Sequence, residues 1–113
     1  MAERTLGKIT VVTAGTSIRA TVNESDPLHR YPAHSYMVEV NSSNTGKIYV
    51  GKSDPVDRTN WTNVIAILPP PTSNIFPAFS ATVTYSVASF NMAEVWIDAD
   101  NSGESVLISS IEA

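Results

Sequence analysis

The chain has 113 residues, a formal net charge of −4 and no cysteine. That length fits a single domain over residues 1–113, and the lack of cysteine excludes disulfides and thiolate chemistry. The seven basic residues are scattered, which argues against a nucleic-acid partner, because phosphate binding needs clustered Lys and Arg. The N-terminal residues lack the apolar core of a signal peptide, and no apolar run approaches about 18 residues. We therefore expect synthesis in a cytosol and no membrane partner.

The first part of the chain predicts a β-hairpin followed by a loop. Residues 8–13 and 17–22 each alternate apolar and polar side chains, the pattern of a half-buried strand. Ala-Gly-Thr at 14–16 makes a turn between them, so the two runs are expected to pair. Residues 23–34 carry two prolines and both histidines without any period, which predicts a loop.

The next two runs, residues 36–40 and 47–51, alternate in the same way across a polar turn that ends at Gly46. This pattern predicts a central antiparallel pair. Alternation places Ile48 and Val50 on one face of the second strand.

The second half of the chain predicts a loop, two strands and a closing hairpin. Residues 52–63 are polar, whereas 64–68 are apolar on both faces, which indicates a strand buried on both sides or at a subunit contact. Residues 79–87 give the clearest alternation of all. The runs 94–99 and 105–111 flank a polar turn with a glycine, which predicts a hairpin.

These patterns together predict an all-β fold, because no helical period longer than a turn occurs. Eight short strands with long loops favour a two-sheet antiparallel β-sandwich of about eight strands, jelly-roll-like in plan.

Residues 46–53 match the phosphate-binding pattern G-x-x-x-x-G-K-S letter for letter. That site needs the four intervening residues to form a loop and a helix to begin at the lysine. Here the four residues form a good strand, and Asp54 would place a carboxylate beside the phosphate. The match is interpreted as accidental, and no cofactor is predicted.

Two weak metal patterns also occur. The acidic run from Asp98 to Glu104 resembles half of a calcium loop, but the distal bidentate ligand falls on Ser109. We interpret this run as a solvated hairpin turn. His29 and His34 share a loop but have no third fixed ligand, so no metal is expected there either.

No arrangement of nucleophile, base and orienting acid is recognisable, so the chain is not expected to be an enzyme. Trp61 lies in a polar loop and Trp96 on the polar side of its strand. Such indoles serve either lateral core packing or an interface, and the sequence favours neither.

Three features resemble small virion proteins of tailed bacteriophages. They are Thr45-Gly46-Lys47-Ile48-Tyr49-Val50-Gly51-Lys52-Ser53, a proline-rich break at 69–71, and Val95-Trp96-Ile97-Asp98-Ala99-Asp100 with its glycine turn. The resemblance spans residues 41–111. It implies a β-sandwich module that decorates or cements capsids, or that forms spikes and tail parts.

The expected function is therefore that of a capsid decoration (cement) protein. It would be synthesised in the host cytoplasm, join the virion at the capsid surface, and form homo-oligomers that bridge and stabilise major capsid protein subunits on the phage head. We predict capsid contacts by His29, Tyr31, Arg58 and Trp61, because aromatic and Arg side chains dominate interface energetics. The alternatives are another virion part, such as a head-fibre base or tail module, and a carbohydrate-binding β-sandwich in which Trp61 and Trp96 form a stacking platform.

Overall fold

The computed structural model describes residues 3–71, 80–84 and 90–112. Within these residues the chain is built of strands, with one 3-10 turn at Met92–Glu94. The strands are β1 Glu3–Thr10, β2 Ile18–Arg19, β3 Pro32–Val40, β4 Ile48–Gly51, β5 Val64–Leu68, β6 Ser80–Thr84, β7 Phe90–Asn91, β8 Trp96–Ala99 and β9 Ser105–Glu112. The predicted all-β class is confirmed.

The strands form two antiparallel sheets. Sheet A has the order β1-β9-β3-β6, with β7 also paired to β3, and sheet B has the order β2-β8-β4-β5. β6 and β7 pair with successive parts of β3, so they occupy one position in the order of the sheet. The resulting eight-strand order is that of a jelly roll, in which successive strands mostly alternate between the sheets. The predicted two-sheet sandwich with jelly-roll connections is confirmed.

The core lies between the sheets and is built from the inward positions of each alternating strand. Apolar burial there drives the packing, since one face of every half-buried strand must leave water. Fully buried side chains come from both sheets: Ile9, Val38, Val106 and Ile108 from sheet A, and Ile48, Val50 and Ile97 from sheet B.

Three pairs of consecutive strands were predicted to form hairpins across short turns, and all three predictions are wrong. β1 pairs with β9 and β2 with β8, so the first two strands lie in opposite sheets. The same holds for β3 and β4, and for β8 and β9. A polar turn can close a ladder or carry the chain across a sandwich. Here each pair buries its apolar faces against the other across the core.

Smaller differences concern strand limits and edges. β3 begins at Pro32, so the loop predicted to reach His34 ends earlier; proline is tolerated at the first residue of a strand. β5 is the edge strand of sheet B with Ile65 exposed, and is not buried on both sides. The strand predicted over 79–87 contains β6, but its other residues and the faces of its side chains lie outside the described residues.

Candidate interaction surfaces

The connection between β4 and β5, residues 52–63, folds back over the outer face of sheet B; we call it the strap. Its base is closed by the Lys52 amide, which donates to the Asn63 carbonyl at 2.9 Å. Val56 is buried against Gly51, where an added Cβ would lie 2.5 Å from the Val56 Cγ2. Glycine at position 51 therefore allows the strap to approach the sheet.

The strap is also ordered by its own acidic side chain. Asp57 accepts hydrogen bonds from the Thr59 and Asn60 amides at 2.8 and 3.0 Å. These backbone donors favour the charged carboxylate and hold the pKa of Asp57 below its usual value. The turn at the tip of the strap is thus an Asx-type turn.

Arg58 fixes the middle of the strap to the end of β8. Its Nε lies 3.5 Å from Asp98 Oδ2, one terminal nitrogen lies 3.7 Å from Asp100 Oδ1, and the same nitrogen donates to the Ala99 carbonyl at 3.0 Å. The Asp98 side chain is 0% exposed. Arg58, which the sequence predicts as a capsid contact, therefore places its guanidinium in an intramolecular network.

Asp98 itself corrects a second expectation, because it does not lie in a solvated turn. Its Oδ1 accepts from the Gly15 amide at 3.0 Å and from its neighbour's amide, Ala99, at 2.8 Å. Two amides and one guanidinium compensate the charge of a carboxylate that has left water. The result is a polar cluster buried under the strap.

Tyr49 occupies the same covered face, opposite Asp98 in the β4–β8 ladder. It is buried, and its hydroxyl donates to Asp100 Oδ1 at 3.1 Å. Burial disfavours the phenolate, and the hydrogen bond to Asp100 adds to this, so the pKa of Tyr49 is raised above 10.0.

The outer face of sheet A is different, because its side chains remain exposed; we call it the open face. Met37 is 38% and Leu107 45% exposed, on the central strands β3 and β9. Apolar and hydroxyl side chains alternate across the ladder, with Met37 opposite Ser109 and Ser35 opposite Ile111. A shallow depression of about 360 Å³ lies there, lined by Glu3, Ser35, Tyr36, Met37, Ser109, Ser110 and Ile111.

His29 and Tyr31 come together at one end of this sheet. Their ring centroids lie 5.5 Å apart at 74°, an edge-to-face contact. The Arg4 guanidinium lies 5.1 Å from the Tyr31 ring and 2.9 Å from the Glu112 carboxylate. This cluster borders a second depression of about 190 Å³. It lies on the core side of the sheet end, since Glu112 is opposite the buried Ala33 and Tyr31 packs against the core.

The two tryptophans have different surroundings. Trp61 is 59% exposed with a φ of +63°, whereas the Arg19 guanidinium lies 4.4 Å from the ring of the half-buried Trp96. No hydrogen bond, ion pair or ring contact joins Trp61 or Arg58 to His29 or Tyr31. The four predicted contact residues thus fall into two separate groups.

The site residues that the sequence analysis missed are the apolar members of the open face, Met37, Leu107 and Ile111. Their signal was present in the alternation, which places all three on the outward side of their strands. An outward apolar residue within a strand is easily assigned to the core, because the pattern does not say whether a loop covers that face.

Within residues 3–71, 80–84 and 90–112, no group of three or more His, Cys, Asp or Glu side chains could hold a metal ion. The described part of the chain also contains no helix long and apolar enough to cross a membrane. The chain matches no protein-family model, no curated protein and no solved structure in the three comparisons.

Proposed function

We propose that this chain is a capsid decoration protein, a virion structural protein that binds the major capsid protein on the surface of a phage head. The observation that carries the proposal is the open face. Exposed Met37 lies opposite Ser109, and exposed Leu107 lies between Lys8 and Glu39, on a broad, shallow sheet surface. A shallow surface of mixed polarity suits a flat protein partner better than a small ligand, which needs a deep cavity.

The chemistry of the open face predicts how the attachment behaves. Apolar side chains would supply a desolvated centre, and hydroxyl groups would supply hydrogen bonds around it. His29 and Tyr31 are already ordered against Arg4 at the end of the sandwich, so a partner that reaches round this end would contact them at little entropic cost. Lys8 and Glu39, the charged ladder neighbours of Leu107, have opposite signs, so binding should depend little on salt.

The expected effect on the shell follows from mass action. A protein that binds the assembled lattice better than free subunits stabilises the assembled state. If the contact is divided among neighbouring capsid subunits, each part is weak alone and strong where the lattice fixes the spacing. Decoration would therefore bridge and stabilise subunits without any chemical reaction.

The test compares assembled empty shells with soluble capsid subunits in a sedimentation assay, at low and at high salt. We expect the protein to sediment with shells alone, at both salt concentrations, and to raise their melting temperature. Met37→Lys should abolish this binding. Ile65→Lys, which changes a similarly exposed residue (41%) of sheet B, should retain it.

Two results would refute the proposal. One is that shells sediment without the protein although the protein is folded, and the other is an equal loss of binding in both variants. Retention on a glycan column would favour the carbohydrate-binding alternative. One face of the Trp96 ring is already occupied by Arg19, however, and this does not favour a two-indole stacking platform.

A further inference from the structure

The edge strands of the two sheets differ in their protection against pairing with another chain. β1 carries Glu3, Arg4 and Lys8 and is interrupted by a bulge at Gly7. β2 is only two residues long. Charges, bulges and short length are the usual means by which an edge avoids further pairing. β6, Ser-Ala-Thr-Val-Thr, has hydroxyl groups at three of its five positions.

β5 carries no charge and is longer than β2, although its ladder with β4 shifts register at Ile65, between Ala66 and Val64. Its sequence is Val-Ile-Ala-Ile-Leu, without a charge, a hydroxyl group or a proline. It pairs with β4 on one side, and within the described part of the chain no ladder occupies its other side. Ile65 is 41% exposed. An apolar edge of this kind readily adds a strand.

The order of residues in β5 indicates which strand it fits. Read from either end, the sequence gives a branched aliphatic residue, Ile, Ala, Ile and again a branched aliphatic residue. An antiparallel copy centred on Ala66 therefore places Ile65 of one strand opposite Ile67 of the other. Like side chains meet at every position, as an isologous two-fold contact requires.

We propose that β5 pairs with β5 of a second copy of this chain, antiparallel about a two-fold axis at Ala66. The two four-stranded sheets then become one continuous sheet of eight strands. This inference does not rest on the proposed capsid function.

The faces of the strand are consistent with this pairing. Ala66 and Leu68 pack on the core side, and Ile67 lies beside Tyr49 on the outer side. The two copies of Ile65 and Ile67 would form one apolar row on the outer surface. No charge lies on the strand, so the ladder itself brings no like charges together.

The length of the pairing is limited at both ends. Pro69, Pro70 and Pro71 follow β5 directly and cannot donate to a ladder. In the same register, the exposed Trp61 of one copy would lie opposite Pro71 of the second copy. A single edge offers less than the roughly 800 Å² per partner of a typical stable interface, so the dimer should be weak and dependent on concentration.

The register is tested by a cross-link, because the chain has no cysteine of its own. Opposed residues of an antiparallel pair have Cα atoms about 4.5–5.5 Å apart, within the range that a disulfide spans. Ala66→Cys should form a disulfide dimer under mild oxidation. Ile65→Cys, about 7–8 Å or more from its own copy, and Ser109→Cys on the open face should remain largely monomeric.

Association itself is measured by sedimentation equilibrium over a wide range of protein concentration. Wild type should show a monomer–dimer equilibrium, and Ile65→Lys should shift it at least tenfold towards monomer. Leu107→Lys, at a matched exposure of 45% on sheet A, should leave it unchanged.

Several outcomes would overturn the proposal. Monomeric wild type at every concentration would mean that something other than a second copy covers the edge. Equal cross-linking of all three cysteine variants would indicate random collision. Stronger cross-linking of Ile65→Cys than of Ala66→Cys would show that the two-fold axis does not pass through Ala66. The two proposals also fail separately, because Ile65→Lys should still decorate shells and Met37→Lys should still dimerise.

Discussion

The outer faces of the two sheets differ in solvent exposure. On sheet B the strap covers the surface, so that Asp98 and Tyr49 are buried although both point away from the core. On sheet A the equivalent positions stay in water, and Met37 and Leu107 are exposed. The difference comes from the connections that cover sheet B. The strap lies over its outer face together with the β1–β2 connection, whose Gly15 amide donates to Asp98 and whose Ser17 hydroxyl accepts from the Val56 amide.

The covered face of sheet B contributes to stability, whereas the open face of sheet A is available for recognition. Polar side chains that lie under the strap need intramolecular partners, because an unpaired buried group is expensive; Asp98 Oδ2 has only the ion pair with Arg58. Side chains on the open face carry no such requirement and can be selected for a partner. Substitutions under the strap should therefore change folding, and substitutions on the open face should change binding.

Loss of Arg58 should give the largest effect. Arg58→Met removes the guanidinium beside the fully buried Asp98. Breaking a buried pair from one side typically costs about 3–5 kcal/mol. Because the Arg58 side chain is 32% exposed, we expect about 3 kcal/mol in the free energy of unfolding, measured by urea denaturation.

Two further variants make that result specific. Lys52→Met, at an exposed strap position, should change stability by less than about 0.5 kcal/mol. Adding Asp98→Asn to Arg58→Met should recover part of the loss, because the amide oxygen can still accept from the Gly15 and Ala99 amides without a buried charge. Additive losses in the double variant would contradict the pairing.

Lifting the strap should have the next largest effect. Gly51→Ala would place a methyl group 2.5 Å from the Val56 Cγ2 and 3.0 Å from the Asn63 carbonyl oxygen. Overpacking of this kind costs about 1–3 kcal/mol, and the midpoint of thermal unfolding should fall accordingly. Val56→Ala in the same chain should relieve only part of the strain, because the carbonyl contact remains. An unchanged midpoint in Gly51→Ala would mean that the strap does not rest on the sheet.

The smallest effect concerns alkaline pH. The pKa of folded Tyr49 is raised above 10.0 by burial and by its bond to Asp100, so the folded state holds this proton more tightly than the unfolded state. The resulting stability is fully present below about pH 10 and is lost as pH rises through the folded pKa. Wild type should therefore lose more stability than Tyr49→Phe between neutral and strongly alkaline pH. Parallel curves for the two proteins would disprove this linkage.

The positions of the strands could be predicted from the sequence, but their partners could not. Alternation at period 2 correctly located strands within residues 36–40, 47–51 and 105–111, and a continuous apolar run located the strand at 64–68. It says nothing about which sheet a strand joins, because a half-buried strand looks alike in either. The short polar turns were assigned to hairpins, whereas three of them carry the chain across the sandwich.

The candidate surfaces were predictable only in part. His29 and Tyr31 do lie together, because they are neighbours in one loop. Arg58 was selected for its residue type, and its intramolecular partners could not be foreseen because Asp98, Ala99 and Asp100 are distant in sequence. The burial of Asp98 depends on the strap, and no local pattern in the acidic run reveals that cover.

The position of β9 between β1 and β3 has a consequence for synthesis on the ribosome. Until residues 105–112 have left the exit tunnel, β1 lacks the one ladder partner that it has in the described part of the chain, and β3 has one open side. The first of the described strands must therefore wait for the last. Long-range pairing of this kind costs loop-closure entropy before native contacts can compensate for it. Sheet A should therefore form after translation of the domain and not during it.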